Sequence, residues 1–466
     1  MMKKSQSVSS KKTIPIVPLA DVSSMLHRVS RAADFVPLHA VASQSVGPKQ
    51  KQVELSPIHD FMPKLCQPEV IGRLKEYVRW QVDWRNGYAQ GMTLDEALSF
   101  MPKQVPLSIN LDLTTACNYR CDHCVDMDIL NTGIRYDHDK IMDSLTEMAA
   151  RGLRSVIVIG GGEPTVYPKF EEVIRHLKAL DIKIGVVTNG SLPKKIKAVA
   201  DVLEPQDWVR LSLDSGSNET FYEMHKPGNK KHTLDWICEN IAAMKDELNP
   251  KFSIGFSFII VWKDCEANDA KIHENIDEIV MAAERAKRYK FDYISYKPFL
   301  TRAENNNAEI VELTQQQNRV DPIMAKIRKE VDIAKRLDDE SFRVVESTNL
   351  RVLENDSYKD YNHQPKTCHL QFFRQVLSPL GVFNCPVYRH VTQAQIGDKH
   401  SYSVPETLQE AQKNTLRLIE TFDASDECKH VTCLYNHANW FIEDLIENPE
   451  KLERLQPTED RQDYFL

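Results

Sequence analysis

Cys117, Cys121 and Cys124 lie in the run Thr-Ala-Cys-Asn-Tyr-Arg-Cys-Asp-His-Cys, a C-x3-C-x2-C spacing that puts three thiols within eight residues. Three thiolates can hold three irons of a cubic [4Fe–4S] cluster and leave the fourth iron open. That iron can take a small molecule through an amino and a carboxylate group, so the site could do chemistry as well as store an electron. A closed structural site would have a fourth protein ligand. Zinc held by the same three cysteines with His123 is the alternative.

Other residues could serve such a site. Gly160-Gly161-Gly162-Glu163-Pro164 combines glycines, which let backbone approach a ligand closely, with a carboxylate. Read alone, it is a tight turn. Asn189, Ser212 and Asp214 are polar residues at or just after apolar runs, where turn chemistry is the plain reading. The segment 222–228, with His225 and Lys226, reads as a loop. Four more cysteines follow at Cys368, Cys385, Cys428 and Cys433. Four thiolates would saturate a [4Fe–4S] cluster, or equally a tetrahedral zinc ion.

These residues need a scaffold. Strands are expected at 107–113, with Ile109, Leu111 and Leu113 on one face, and at 155–159, 182–187, 208–213, 252–261 and 293–296. Helices are expected near 139–151, after Pro168, at 231–247 and near 271–288. Alternation of this kind implies a parallel sheet with right-handed crossovers. Six units cannot close an eight-stranded barrel, so the fold class is α/β with an open, partial (β/α)6 barrel. Parallel α/β folds bind ligands at the carboxyl ends of their strands, and the three-cysteine loop follows the first strand. Residues 51–105 read as helical, with Leu74, Tyr77, Val78 and Trp80 on one face and a capping box at Thr93–Glu96. Trp80 and Trp84, four apart, suit helix packing. Between Cys368 and Cys385 a Pro/Gly turn suggests a hairpin, and an apolar helix runs from Cys433 through Trp440 and Leu445.

In combination these motifs resemble the radical S-adenosylmethionine (SAM) enzymes, over about residues 106–450. In that family the three cysteines hold the cluster and SAM chelates the open iron. One electron cleaves SAM to methionine and a 5′-deoxyadenosyl radical, which takes a hydrogen atom from an unactivated carbon. The residue before the third cysteine is usually aromatic; here it is His123, whose ring can pack against adenine. Gly161, Gly162, Glu163 and Pro164 match the family's GGEP motif, which contacts the methionyl amino group, and Glu163 suits an ammonium. Asn189, Ser212 and Asp214 match positions that contact the SAM ribose and carboxylate, or the substrate. His225, Lys297 and Arg302, near strand ends, are candidates for a catalytic acid or base. The C-terminal cysteines resemble a Twitch or shortened SPASM extension, which binds an auxiliary [4Fe–4S] cluster for electron transfer or structure. Zinc remains the alternative there. The implied order is a tail at 1–50, a helical cap at 51–105, the barrel at 106–335, an auxiliary-cluster domain at 336–450 and a tail at 451–466.

Twitch-type relatives imply hydrogen abstraction from a small polyol, sugar or aminocyclitol-like metabolite, ending in oxidation or radical rearrangement, with a flavodoxin- or ferredoxin-type electron donor. The alternatives are a peptide- or protein-modifying maturase, which would need a peptide-docking module, and a non-catalytic metal-binding interaction protein. The net charge of −8 and pI near 6.0 argue against general nucleic-acid binding. The longest apolar runs, such as 155–160 and 254–262, are strand-length, which argues against a membrane span. Seven of the ten cysteines fall in ligand-like groups, which suits a reducing cytoplasm better than disulfides, and Cys66, Cys238 and Cys265 read as free thiols. The first fifty residues, rich in Ser, Lys, Val and Pro, read as a flexible tail or an organelle transit sequence.

Overall fold

A computed structural model of the chain describes residues 55–303, 308–311 and 320–466. The expected tail at 1–50 and the start of the helical cap lie outside the described residues. The helices that bear on the site are α1 (Pro68–Ala89), α2 (Leu94–Phe100), α3 (His138–Ala150), α4 (Phe170–Ala179), α5 (Asn218–His225), α6 (Leu234–Leu248), α7 (Ile279–Arg288) and α8 (Asn436–Glu447). The strands are β1 (Ser108–Leu111), β2 (Ser155–Val158), β3 (Lys183–Thr188), β4 (Trp208–Ser212), β5 (Ser253–Ile260), β6 (Tyr293–Pro298), β7 (Arg343–Glu346), β8 (Arg374–Ser378), β9 (Gly381–Phe383) and β10 (Gln395–Gly397).

These ten strands form one sheet in the order β7-β6-β5-β4-β3-β2-β1-β8-β9-β10. Pairing is parallel from β7 to β8 and antiparallel for β8–β9 and β9–β10. The sheet is open, a partial barrel in a mixed α/β fold. It exceeds the six expected strands: β7 extends the edge beside β6, and β8 lies parallel to β1 with Ser108 opposite Arg374. The expected hairpin does form, as β8 and β9, but it is built into the main sheet. Val376 and Leu377 are both buried, so β8 is covered on both faces and suits an interior position.

Alternation along each strand sorts its side chains. Val209 and Leu211, Ile254 and Phe256, and Ile294 and Tyr296 join the core beneath the helices. Arg210 and Ser212, Gly255 and Ser257, and Ser295 and Lys297 therefore turn to the inner, concave side. At the floor, the Trp208 ring covers Gly185 and the Tyr293 ring covers Gly255, each where a Cβ would collide. Phe465 packs edge-on to Trp208 at 5.5 Å, and Tyr464, Phe465 and Leu466 are buried, so the end of the expected C-terminal tail plugs the barrel.

Several local expectations change. Residues 218–225 form α5, capped by Ser217, whose hydroxyl accepts from Thr220 N–H; His225 thus ends a helix, and Lys226 turns the chain with φ of 43°. The helix expected from 271 starts only at Ile279. A small hairpin at 266–271, turning on Asn268 and Asp269 with positive φ, and a single 3-10 turn at Ile276–Glu278 precede it. Helix α1 buries Leu74, Tyr77, Val78, Trp80 and Trp84, and α2 carries the expected capping box between Thr93 and Glu96. Tyr77 stacks on Phe372 at 4.5 Å and α1 packs on α8, so the cap seals the β8 end and the C-terminal helix together. Among the described residues, no helix is long and apolar enough to cross a membrane.

Candidate metal centres

The chain leaves β1 at its carboxyl end and adds one more pairing step, Thr114 beside Gly161, before the cysteine loop. Cys117 N–H donates to Asn131 Oδ1 at 3.0 Å and Cys124 N–H to Cys121 O at 3.2 Å, which curls the loop on itself. Asn268, at the tip of the 266–271 hairpin, donates to Asp122 O at 2.8 Å and Cys124 O at 3.0 Å and closes the loop from above. The three cysteines are free and half-buried. Burial raises all three thiol pKa values, that of Cys124 to about 12, and its neighbours raise Cys121 further. Thiols that oppose one another's ionisation suit a cationic metal centre, which reverses the effect and draws off their protons. Cys66, Cys238 and Cys265 are buried in the core, and none belongs to this loop. The donor set is three thiols, as a [4Fe–4S] cluster with one open iron requires.

One histidine of the loop, His123, and one behind it, His225, share a carboxylate. His225 Nδ1 lies 3.3 Å from Cys121 Sγ, and its Nε2 lies 3.0 Å from Leu213 O. Asp214 Oδ2 is 3.4 Å from both His225 Nε2 and His123 Nε2, and Asp214 Oδ1 accepts from Ile259 N–H at 2.7 Å. Burial alone would raise the Asp214 pKa, but the two histidines outweigh it and hold the carboxylate well below its usual range. Cys121, His123 and His225 also bring three metal-type donor atoms within 4.8 Å of one another. Asp214 therefore orients the two imidazoles. Among the described residues, buried His123 Nδ1 has no hydrogen-bond partner, so that nitrogen is available to a ligand.

The glycine run meets the cysteine loop backbone to backbone. Gly160 and Gly161 adopt φ of 64° and 67°, and a Cβ on Gly162 would lie 2.1 Å from Ala116 O. Glu163 N–H donates to that same oxygen at 2.9 Å. The Glu163 carboxylate turns inward: it accepts from Thr165 N–H at 3.0 Å, Thr188 Oγ1 at 2.6 Å and Asn189 N–H at 2.7 Å. What this loop, ending at Pro164, offers a ligand is thus mostly backbone. Asn189 Nδ2 donates to Asn118 Oδ1 at 2.9 Å, so the β3 loop is tied to the residue after Cys117. Ser212 faces the inner side of β4.

Cys368, Cys385, Cys428 and Cys433 line one cavity together with Arg374, Tyr388 and Asn439. All four are free thiols, and burial raises each, Cys385 to about 12. Cys428 and Cys433 are raised further by the other cysteines. Asn439 Nδ2 lies 3.8 Å from Cys368 Sγ. Four thiols lining one cavity suit a closed site of cluster size.

Between the two groups lies a buried charge cluster, of which the sequence singles out only Arg302. Arg389, four residues after Cys385, sends Nη1 to Asp126 Oδ2 at 2.9 Å and Nη2 to Asp112 Oδ1 at 3.1 Å, with its guanidinium over Gly160. His390 Nε2 is 3.6 Å from Asp126 Oδ1. Arg302 pairs with Glu309 at 3.6 Å and donates to Val387 O at 3.3 Å and Val125 O at 3.5 Å, so it braces both cysteine loops. Asp126 follows Cys124 by two residues; charged residues just past each ligand loop were the available signal. Lys297 lies apart, inside the barrel.

Residues 111–271 match the family described as the Radical SAM superfamily. An S-adenosylmethionine-dependent nucleotide dehydratase of Thermoplasmatales archaeon (strain ISO4-H5) is 34% identical over 108 residues, 23% of this chain and 38% of that protein. A GTP 3′,8-cyclase of Lactiplantibacillus plantarum is 29% identical over 139 residues, 28% of this chain and 40% of that protein. The chain thus spans about two fifths of the length of these curated relatives. The structure of Streptococcus suis SuiB bound to precursor peptide SuiA is similar with a TM-score of 0.44 and 14% identity, over 77% of this chain and 82% of that one.

Proposed function

Because the chain carries a radical SAM domain at residues 111–271, we propose that it reductively cleaves SAM and abstracts a hydrogen atom from a small polar substrate held inside the barrel. The observation that carries this reading is the meeting of the three-thiol loop with the glycine run, where Glu163 N–H donates to Ala116 O. Cys117, Cys121 and Cys124 would hold a cluster able to supply the electron for SAM cleavage, and the four C-terminal cysteines would hold one able to accept an electron from the substrate. Backbone of Gly161 and Gly162 would face the methionyl amino group. The inward carboxylate of Glu163 keeps the Asn189 turn and the Asn118 side chain in place beside it. The 266–271 hairpin holds the loop through Asn268.

A polyol, sugar or aminocyclitol-like substrate suits the hydroxyl and amide groups of Ser212, Ser257 and Asn110 on the inner wall. The two relatives named for nucleotides also act on molecules that contain a sugar. A flavodoxin- or ferredoxin-type protein is the expected electron donor. The test is deuterium transfer into 5′-deoxyadenosine from labelled substrates, with anaerobically reconstituted protein and a strong reductant. Transfer from a sugar or nucleoside supports the reading. Transfer from a peptide instead would favour the peptide-modifying alternative.

A further inference from the structure

The inner wall of the barrel carries two cations that the site so far leaves unused. Arg210 on β4 and Lys297 on β6 face the same interior, because Val209, Leu211, Ile294 and Tyr296 all turn to the helices. Arg210 lies in register with Gly255, and Lys297 with Ile259 further along β5, so Lys297 stands nearer the strand ends and the cysteine loop. Ser212 and Ser257, register partners of each other, lie between these two levels.

Among the described residues neither cation has an ion-pair partner, and the one carboxylate whose charge reaches both is that of Asp214. The Arg210 guanidinium lies over the Trp208 ring at 5.2 Å, and its Nε is buried with no hydrogen-bond partner. Among the described residues, Lys297 Nζ makes no hydrogen bond or ion pair. The neighbouring carboxylate, Asp214, is already held by His123, His225 and Ile259 N–H. Arg374, across the barrel on β8, differs: it donates to Asn110 Oδ1 at 2.6 Å and lies over the Tyr435 ring. Burial and the adjacent Arg210 push the Lys297 ammonium well below its usual range, a cost that a bound anion would remove. Both side chains are half-buried, and two cations without an ion-pair partner on a wall that faces a reaction site form half of an ion pair.

We infer that Arg210 and Lys297 anchor an anionic group of the substrate, phosphoryl or carboxylate, at the inner wall while Ser212 and Ser257 donate beside it. This deepens the small-molecule reading above and rests on it. The anchored end would lie along the inner wall between the levels of Arg210 and Lys297, leaving the remainder of the substrate toward the strand ends where SAM would be cleaved.

The test is calorimetric titration of the reconstituted full-length enzyme with pyrophosphate and, separately, with succinate at fixed ionic strength. Saturable binding of one of them is expected, with Kd raised about tenfold or more in both Arg210→Gln and Lys297→Gln. Lys429→Gln, an exposed lysine, should bind like the parent. The preferred anion tells phosphoryl from carboxylate chemistry. Near-ultraviolet circular dichroism checks that each variant is folded, and Arg210→Lys, which keeps the charge, should bind better than Arg210→Gln. Failure of the parent enzyme to bind either anion, or binding indifferent to both substitutions, would overturn the inference. If the parent then still forms 5′-deoxyadenosine, the radical reading stands alone. Anion binding without 5′-deoxyadenosine formation would instead remove the premise, and the substrate role with it.

Discussion

Arg389 Nη1 stands 2.9 Å from Asp126 Oδ2, and this one ion pair joins the loop of Cys124 to the loop of Cys385 across 263 residues of sequence. The same guanidinium reaches Asp112 at 3.1 Å. Burial would raise the Asp126 pKa, but Arg389 and His390 outweigh it and hold it at about 2. Arg389→Ala leaves two buried carboxylates without their cation, which costs about 3–5 kcal/mol. The expected outcome is a lower thermal midpoint and loss of iron from both sites on purification. Arg389→Lys, which keeps charge without the fork, should fall between. An alanine variant as stable as the parent, with full iron, would show the bridge to be dispensable.

Gly162 leaves no room for a side chain, since a Cβ would stand 2.1 Å from a backbone oxygen of the cysteine loop. Gly162→Ala must push the two loops apart, at about 1–3 kcal/mol. SAM affinity, read by equilibrium dialysis, is expected to fall at least about tenfold. Unchanged affinity would mean that contact between these loops does not shape the SAM site.

Glu309 makes a prediction with a sign. Burial raises its pKa from 4.5 to about 7, with Arg302 offsetting part of the effect. A carboxyl whose folded value is raised holds its proton more tightly when folded. Its contribution is fully present below about pH 4.5 and is lost as pH rises through about 7. Glu309→Gln should therefore gain stability over the parent at pH 8, by at most about 3 kcal/mol, and little at pH 4.5. Urea midpoints of both proteins at the two pH values measure this. An equal difference at both would refute it.

The two cysteine groups should separate by function. Cys428→Ala is expected to lower iron from about eight to about four per chain while 5′-deoxyadenosine still forms. Oxidised product should be lost. Product formation at the parental rate would assign the four-cysteine site a purely structural role.

What was legible in the sequence was local. The cysteine loop, the glycine run, the Thr93–Glu96 capping box and the hairpin turn near Gly381 each sit within a few residues and carry their own chemistry. The pairing of β8 with β1 joins residues about 266 apart, from Ser108 to Arg374, and no local pattern announces it. The Arg389 bridge is hidden for the same reason. Glu163 shows a different limit: its type suits an ammonium, but whether it faces ligand or loop depends on Thr188 and Asn189 from the next strand. His225 ends a helix, not a loop, because the Ser217 hydroxyl caps the turn at Thr220, a contact that only the folded backbone displays.

The most direct measurement is 5′-deoxyadenosine formed from SAM by anaerobically reconstituted, reduced protein, beside a variant with Cys117, Cys121 and Cys124 all replaced by alanine. The parent should form it and the variant should not, although the four C-terminal cysteines remain. Product that persists in the variant, or an iron-loaded parent that forms none with substrate candidates present, would contradict the assignment of SAM cleavage to the three-cysteine loop.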